Sequence, residues 1–290
     1  MAENRVDSSA YERLHVESLT DVIGAEVQGV DLAKPLEPDS LREIQRAFLE
    51  HHLIVFRHQT LTPEQQQAFG APFGRFTIHP FRPSIPGYPE LLTIAKEPDE
   101  RRNVGGGWHT DMTFVQAPPK GSMLYAIEVP PDGHGDTLFS SSEAAYQALS
   151  SGMKRLLAGL TGVHCAERVH GVGATAGENA FRRTAATKPE ATRMTLHPVV
   201  RTHPESGRKC LFVNPSFTLR FDAMTEQESR PLLEYLFAHM AKPEFVVRVR
   251  WRAGTLVLWD NRCTQHYALN DYHGHRREMR RLMIDGDRPL

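Results

Sequence analysis

A histidine and an aspartate two positions apart, His109 and Asp111, form the segment of this sequence best suited to hold a metal ion. In an extended chain, side chains two residues apart point to the same side, so the imidazole and the carboxylate could bind one ion. His266 is the candidate for a third ligand. Two histidines and one carboxylate leave three positions of an octahedral ion open, which is the arrangement of non-haem iron(II) oxygenases.

Other interpretations of the same residues stay open at this point. The chain has 15 histidines, so a His-x-Asp pattern can arise by chance. Two histidines and a carboxylate could also hold zinc in a hydrolase whose nucleophile is the bound water. A third hypothesis is a binding or assembly protein without enzymatic activity.

Three segments occur in a fixed order along the chain, and together they carry a resemblance. The sequence is similar to the taurine dioxygenase family of Fe(II)- and 2-oxoglutarate-dependent dioxygenases, which includes alkylsulfatase and aryloxyalkanoate dioxygenases. The similarity runs from about Leu14 to the C-terminus. The segments are Trp108–Phe114, Gly135–Leu138 and Trp259–Tyr267, the last followed by Arg276, Arg277, Arg280 and Arg281.

The resemblance implies a mainly β fold with peripheral helices around a double-stranded β-helix, or jelly-roll, core. It implies that His109, Asp111 and His266 are the catalytic iron ligands, and that Arg277 and Thr137 bind the distal carboxylate of 2-oxoglutarate. Fe(II), 2-oxoglutarate and O2 would be the cofactor and cosubstrates. The family reaction hydroxylates an organic substrate while 2-oxoglutarate is decarboxylated to succinate and CO2.

The resemblance also implies a substrate pocket for a small organic anion. Arg281 and His79 match positions that meet the anionic head of the substrate, and Phe217 matches an apolar wall. A guanidinium and an imidazole suit a sulfonate, sulfate, phosphonate or carboxylate. The run Gly105–Gly107 and the nearby Arg82 depart from the taurine pattern. We therefore expect a wider, less polar pocket for an anion bulkier than taurine.

The elements that position these residues are predicted to be mostly strands. Short apolar runs separated by turn residues favour β structure, and two hairpins are predicted, over 197–213 and over 245–259. The predicted strands are two short strands within 14–32, then 53–56, 90–94, 122–129, one beginning at 136–139, and 280–284.

Helical spacing predicts four helices around these strands. Thr62–Gln65 and Ser40–Glu43 both read as capping boxes, a pattern that starts a helix. The remaining helices are predicted over 143–160 and 225–240.

Size and composition set the remaining limits. A length of 290 residues without a linker or repeat predicts one domain over 1–290, with a disordered lead-in at 1–12 and a mobile loop at 171–194. The net charge of −1 argues against nucleic acid and anionic membranes as partners. Three scattered cysteines and the lack of a long apolar run predict a cytoplasmic protein. We also expect a homo-oligomer.

Overall fold

The strands of this chain assemble into one large sheet and three small ones. The computed structural model describes residues 11–131, 133–170 and 189–290. The strands of the described part are β1 His15–Ser18, β2 Ala25–Gln28, β3 Leu53–Phe56, β4 Leu91–Lys96, β5 Gly121–Glu128, β6 Thr137–Ser141, β7 Thr161–His164, β8 Thr195–Pro198, β9 Val200–Thr202, β10 Lys209–Leu211, β11 Thr218–Phe221, β12 Val246–Val249, β13 Leu256–Asp260, β14 Thr264–Ala268 and β15 Arg277–Ile284.

The large sheet combines strands from both ends of the sequence. Its order is β1-β2-β3-β13-β5-β15-β4, and all of its pairs are antiparallel except β2 with β3. Every residue of β3 and of β13 is buried. Such unbroken apolar runs are expected for central strands that are covered on both faces.

A smaller sheet, β12-β6-β14, faces the large one across a shared apolar core. Phe139 and Val249 of the small sheet pack in the same cluster as Val257, Trp259 and Met279 of the large sheet. Two antiparallel sheets packed face to face give the jelly-roll architecture. The predicted fold class is therefore confirmed.

Helices cover the other face of the large sheet. Ile44 and Phe48 of the first helix, together with Phe69 of the second, pack against Ile54 and Leu258. The helices of the described residues are α1 Pro38–His51, α2 Pro63–Gly70, α3 Ser142–Gln147, α4 Ser151–Leu157, α5 Glu167–His170 and α6 Glu226–Met240, with 3-10 turns at Ala71–Phe73, Pro189–Thr192 and Pro243–Phe245.

One predicted capping box is confirmed and the other is wrong. Thr62 accepts a hydrogen bond from the backbone N–H of Gln65, whose side chain accepts one from the backbone of Thr62. The first helix instead begins at Pro38, because a proline in the first turn has the backbone angle that a helix needs. Glu43 lies inside that helix, and its carboxylate accepts hydrogen bonds from the backbone of 12–14.

The helix predicted over 143–160 is two helices. α3 ends at Gln147, and Ser150 caps α4 by accepting a hydrogen bond from the backbone N–H of Met153. A serine at this position satisfies a free N–H of a new helix, so it divides an apolar pattern that looks continuous.

The hairpin predicted over 245–259 is wrong, although that over 197–213 is confirmed by the pairing of β9 with β10. β12 pairs with β6, whereas β13 pairs with β3 and β5 in the opposite sheet. The connection between them passes from one sheet to the other. It does so at Gly254, where an added Cβ would lie 2.6 Å from the carbonyl oxygen of Gln59.

The predicted disordered lead-in at 1–12 and the predicted mobile loop at 171–194 lie mostly outside the described residues. Within the lead-in, Tyr11 is buried and donates a hydrogen bond to Glu50, so this residue is packed against the fold. Within 171–194, Ala191 is fully buried in a 3-10 turn, so this end of the predicted loop is packed. Across the described ranges, none of the helices combines the length and the apolar character needed to span a bilayer.

Candidate metal centre and adjoining cavities

His109 and His266 are brought together by the backbone. The two residues form an isolated antiparallel bridge. The backbone N of His109 lies 3.0 Å from the carbonyl O of His266, and the backbone N of His266 lies 2.8 Å from the carbonyl O of His109. His266 is in β14, while His109 is in the loop before β5, so this bridge fixes the loop against the small sheet. The centroids of the two imidazole rings lie 4.1 Å apart.

Asp111 completes a group of three ligand atoms suited to one ion. Its Oδ1 lies 3.7 Å from Nε2 of His109 and 3.7 Å from Nε2 of His266. The three ligand atoms all lie within 4.8 Å of one another. Two imidazole nitrogens and one carboxylate oxygen on one side of a common point fit a divalent metal with open positions on its other side. The structure thus brings the predicted ligand set together.

The protonation of the imidazoles also suits metal binding. His109 Nδ1 lies 2.8 Å from the carbonyl oxygen of Gly107, to which it can donate a hydrogen bond, and this leaves the lone pair of Nε2 free. Burial lowers the pKa of His109, and burial and then the charge of His109 hold the pKa of His266 well below its ordinary value. Both rings are therefore neutral near pH 7, as metal binding requires.

The second oxygen of Asp111 is held by residues behind the candidate metal site. Its Oδ2 accepts a hydrogen bond from Ser122 at 2.7 Å and contacts the guanidinium of Arg281. Burial opposes ionisation of this carboxyl group. The charge of Arg281 and the two imidazoles outweigh that effect, so the pKa of Asp111 lies below its ordinary value. Asp111 is thus a charged ligand of fixed orientation.

An inner cavity of about 40 Å³ lies on the side of the metal group nearest Arg277 and Thr137. Arg277 is 4% exposed, and its Nε and Nη2 have no hydrogen-bond partner among the described residues. Thr137 accepts a hydrogen bond from the indole N–H of Trp251, which orients its hydroxyl. A buried guanidinium with unpaired nitrogens is costly unless an anion joins it. The inner cavity therefore fits a carboxylate.

An outer cavity of about 170 Å³ adjoins the inner one at the metal group and is lined by the predicted substrate residues His79, Phe217 and Arg281. Burial, followed by the charges of Arg281 and His170, holds the pKa of His79 well below its ordinary value. Its Nδ1 accepts a hydrogen bond from the backbone of Phe81, so the neutral ring carries its proton on Nε2 as a donor. The eight predicted site residues therefore all line one of two adjoining cavities.

The glycine run lines the outer cavity, but its members differ in the space beside them. A Cβ on Gly105 would lie 3.2 Å from the His109 ring at a φ of +79°, and one on Gly106 would lie 2.5 Å from Asn103 Oδ1. A Cβ on Gly107 would meet only Ser216, at 3.9 Å. The first two glycines are therefore required by close packing, and only Gly107 leaves space that a side chain could fill.

Two residues of the site were not predicted from the sequence. Ser122, in β5, supports Asp111 and itself accepts a hydrogen bond from Asn261. His170, the last residue of α5, lines the outer cavity with its ring centroid 5.7 Å from that of His79. No motif marks either residue, because Ser122 meets Asp111, and the helical His170 meets His79, only in the folded chain.

A second group with metal-ligand chemistry consists of His203, Asp260 and Cys263, all buried. Here the carboxylate is already occupied: Arg262 donates to both oxygens of Asp260, and His203 donates to one. Both oxygens of Asp260 and one ring nitrogen of His203 are thus engaged with each other or with Arg262, whereas Arg281 pairs only with Oδ2 of Asp111 and leaves its Oδ1 facing the two histidines. The second group is therefore a buried structural ion pair.

The chain is similar over most of its length to proteins of known structure and function. A solved structure of AAD-2 in complex with Mn(II) and N-oxalylglycine aligns with a TM-score of 0.78 and 30% identity, covering 96% of this chain and 99% of that one.

Two characterised relatives are similar over most of their length. An alkylsulfatase of Acinetobacter baylyi is 36% identical over 95% of this chain and 86% of its own. An alpha-ketoglutarate-dependent sulfate ester dioxygenase of Pseudomonas putida is 36% identical over 96% of this chain and 91% of its own. The family model described as taurine catabolism dioxygenase TauD, TfdA family matches residues 15–283. The chain belongs to this family and is an Fe(II)- and 2-oxoglutarate-dependent dioxygenase.

Proposed function

We propose that this dioxygenase hydroxylates a small organic anion with an apolar body, and that His109, Asp111 and His266 hold its Fe(II). Bound Fe(II), with 2-oxoglutarate and O2, supplies the oxidation of a C–H bond and the conversion of 2-oxoglutarate to succinate and CO2. The protein supplies the position of each reactant and the exclusion of water.

One observation carries the proposal: the two cavities meet at the metal group. His109 and Arg281 line both cavities, together with Ile94, Val104 and Gly105. A cosubstrate in the inner cavity and a substrate in the outer cavity would therefore approach the same ion from different sides. Such a shared position is what a coupled oxidation needs, because the reacting groups must be held in contact.

Arg277 and Thr137 are the proposed partners of the distal carboxylate of 2-oxoglutarate. The free nitrogens of Arg277 can donate a pair of charge-assisted hydrogen bonds, which are stronger than neutral ones. Thr137 can add a hydroxyl donor from the same wall of the inner cavity.

Arg281 and His79 are the proposed partners of the substrate anion, and Phe217 contacts its apolar body. The outer cavity is lined by the apolar side chains of Met112, Phe114 and Val169 as well as by these cationic and polar groups. Relatives are named for alkyl sulfates and sulfate esters, which combine an anionic head with an apolar chain. We therefore place an alkyl sulfate, a bulkier sulfonate or an aryloxy acid ahead of taurine.

The alternative functions are not favoured. A zinc hydrolase needs a metal-bound water, but it has no use for a buried, unpaired guanidinium beside the metal group. The 2-oxoglutarate-dependent relatives also argue against this alternative. A protein without activity would not need to keep the three ligand atoms converged, as they are here.

The experiment is to measure succinate release from 2-oxoglutarate with a panel of alkyl sulfates, alkanesulfonates and aryloxyacetates, each beside its neutral alcohol or amide analogue. We expect strong stimulation by one class of anion, weak stimulation by taurine and none by the neutral analogues. Stimulation by neutral analogues equal to that by anions would contradict the anion site. Efficient turnover of taurine would contradict only the preference for a bulkier substrate.

Cellular location and assembly belong to the same proposal. Three free, buried cysteines are compatible with a reducing compartment, which supports action in the cytoplasm. We also propose a homo-oligomer. Equilibrium sedimentation of the purified chain would test this part, and a monomer at micromolar concentration would contradict it.

A further inference from the structure

Lys96, the last residue of β4, is a lysine with only 2% of its surface exposed. Its Nζ has no hydrogen-bond partner within the described ranges. The ammonium lies 4.5 Å from the centroid of the Tyr272 ring, and its acidic neighbours Asp99 and Glu100 act on it through charge alone. Burying an ammonium without an acceptor is costly, so the position requires an explanation.

The pairing of β4 with β15 places Lys96 directly opposite Arg277. Opposed residues of an antiparallel pair project to the same face of a sheet. On this face Leu92 and Ile94 precede Lys96 at alternate positions of β4, and they line the cavities beside the metal group. Lys96 thus projects to the same face of the sheet as residues that line the inner cavity, next to Arg277.

Tyr272 lies against both cations. A Cβ added to Gly135 would lie 3.2 Å from Arg277 Cδ and 3.2 Å from Tyr272 Cδ1, so these two side chains sit side by side under the same glycine. The Lys96 ammonium lies over the ring of the same tyrosine. Like charges directly opposed in a sheet are destabilising, so a lysine opposite an arginine at this position needs an explanation. Burial lowers the pKa of both groups.

We infer that Lys96 is a second cation for the distal carboxylate of 2-oxoglutarate, acting beside Arg277. This inference rests on the proposed role of the inner cavity. A carboxylate has two oxygens and can accept from the unpaired nitrogens of Arg277 and from the ammonium of Lys96 together. The cavity would then select a dicarboxylic 2-oxo acid over a monocarboxylic one more strongly than a single arginine could.

The test compares 2-oxoglutarate with 2-oxopentanoate, which has the same chain length but lacks the distal carboxylate. Binding of each acid is measured by calorimetry on the wild-type chain and on Lys96→Met, with Mn(II) in place of Fe(II). We expect Lys96→Met to lose at least about tenfold in affinity for 2-oxoglutarate, as for loss of one partner of a buried charge pair. Its affinity for 2-oxopentanoate should be unchanged, and Lys96→Arg should recover part of the loss.

The stability of the Lys96→Met variant distinguishes a role of Lys96 in binding 2-oxoglutarate from a structural role. Replacing an unpaired buried charge by an apolar side chain of similar length is expected to raise the unfolding temperature of the metal-free protein, or to leave it unchanged. Lys154→Met is the matched control, because Lys154 also lies over a tyrosine ring, 5.3 Å from the centroid of Tyr146, but on an exposed helix. It should change neither affinity.

Unchanged 2-oxoglutarate affinity in Lys96→Met would overturn the inference, and so would an equal loss for both acids, which would indicate distortion of the cavity. If Lys96→Met does not fold, Lys96→Gln carries the same comparison. A wild-type chain that binds both acids equally would instead refute the proposed carboxylate site of Arg277, and the inference with it.

Discussion

His109 and His266, which lie in different halves of the sequence, exchange two backbone hydrogen bonds of 3.0 Å and 2.8 Å. The bridge orients both imidazoles through the main chain, so their approach does not depend on a metal. A preformed pair of ligands reduces the conformational entropy that metal binding would otherwise cost.

Removing a ligand should abolish metal binding. His109→Ala or Asp111→Ala should reduce Mn(II) affinity by more than about 100-fold, beyond the loss typical of residues that only support a ligand. Calorimetric titration of Mn(II) measures the effect. His273→Ala, at an exposed histidine, is the control and should bind like the wild type. Wild-type affinity in both ligand variants would disprove the assignment.

Arg277 and its neighbour Arg276 provide a matched pair for the cosubstrate. Arg277→Met should raise the KM for 2-oxoglutarate by about 30-fold or more, since loss of a buried charge partner costs about 2–5 kcal/mol. Arg276 pairs with Glu97 and Glu128 at the surface, so Arg276→Met should leave that KM unchanged. Steady-state succinate release measures both. Equal effects of the two variants would rule out a specific role for Arg277.

Arg281 should control the preference for an anionic substrate. In Arg281→Gln we expect loss of substrate-stimulated succinate release, while slow decarboxylation without substrate continues. The variant also removes the cation beside Asp111, so Mn(II) affinity must be measured with it. Retained metal binding with lost anion preference supports the substrate role. Loss of metal binding would show that Arg281 acts through Asp111 instead.

Replacement of glycine by alanine should change the stability of the fold at Gly106 but hardly at Gly107. Gly106→Ala should destabilise the fold by about 1–3 kcal/mol, because the new Cβ would meet Asn103 Oδ1 at 2.5 Å. Asn103 cannot move away freely, since it donates to the carbonyls of Ala268 and Leu269. Gly107→Ala should stay within about 0.5 kcal/mol of the wild type.

Urea unfolding measures the stability of both glycine variants, and turnover adds a second readout. If Gly107 gives the outer cavity its width, Gly107→Ala should slow bulky anions more than short ones. Equal slowing of all substrates would contradict a role of Gly107 in substrate size.

His197 should make the fold sensitive to acid. Burial lowers its pKa to about 4 from the ordinary 6.5, so the folded chain keeps the ring neutral while the unfolded chain takes up a proton. The free energy of unfolding should therefore fall as the pH drops from about 6.5 to about 4, with His197 contributing up to about 3 kcal/mol. Below pH 4 this residue should cause no further loss, because it is then protonated in both states.

Urea unfolding of the metal-free chain between pH 4 and 7 tests this contribution. His197→Gln can keep a donor to the carbonyl of Val115, the present partner at 3.0 Å, but cannot titrate. Its dependence on pH should be flatter than that of the wild type, whereas His273→Gln should match the wild type. If the free energy of unfolding changed with pH identically in all three proteins, the contribution assigned to His197 would be refuted.

Local signals in the sequence predicted what depends on neighbouring residues alone. The capping box at Thr62 is such a case, because both of its hydrogen bonds span only three positions. The apolar run 53–56 likewise identified a buried strand from its composition. The site residues were predicted by resemblance to a family, and the structure places all of them around two adjoining cavities.

Only the tertiary structure decided which strands pair. The segments on either side of Gly254 look like a hairpin, yet β12 and β13 enter opposite sheets, since each must bury an apolar face against a different partner. The same long-range packing sets Lys96 opposite Arg277, and it brings His170 beside His79. Such contacts depend on the register and stacking of whole sheets, and no short stretch of sequence encodes them.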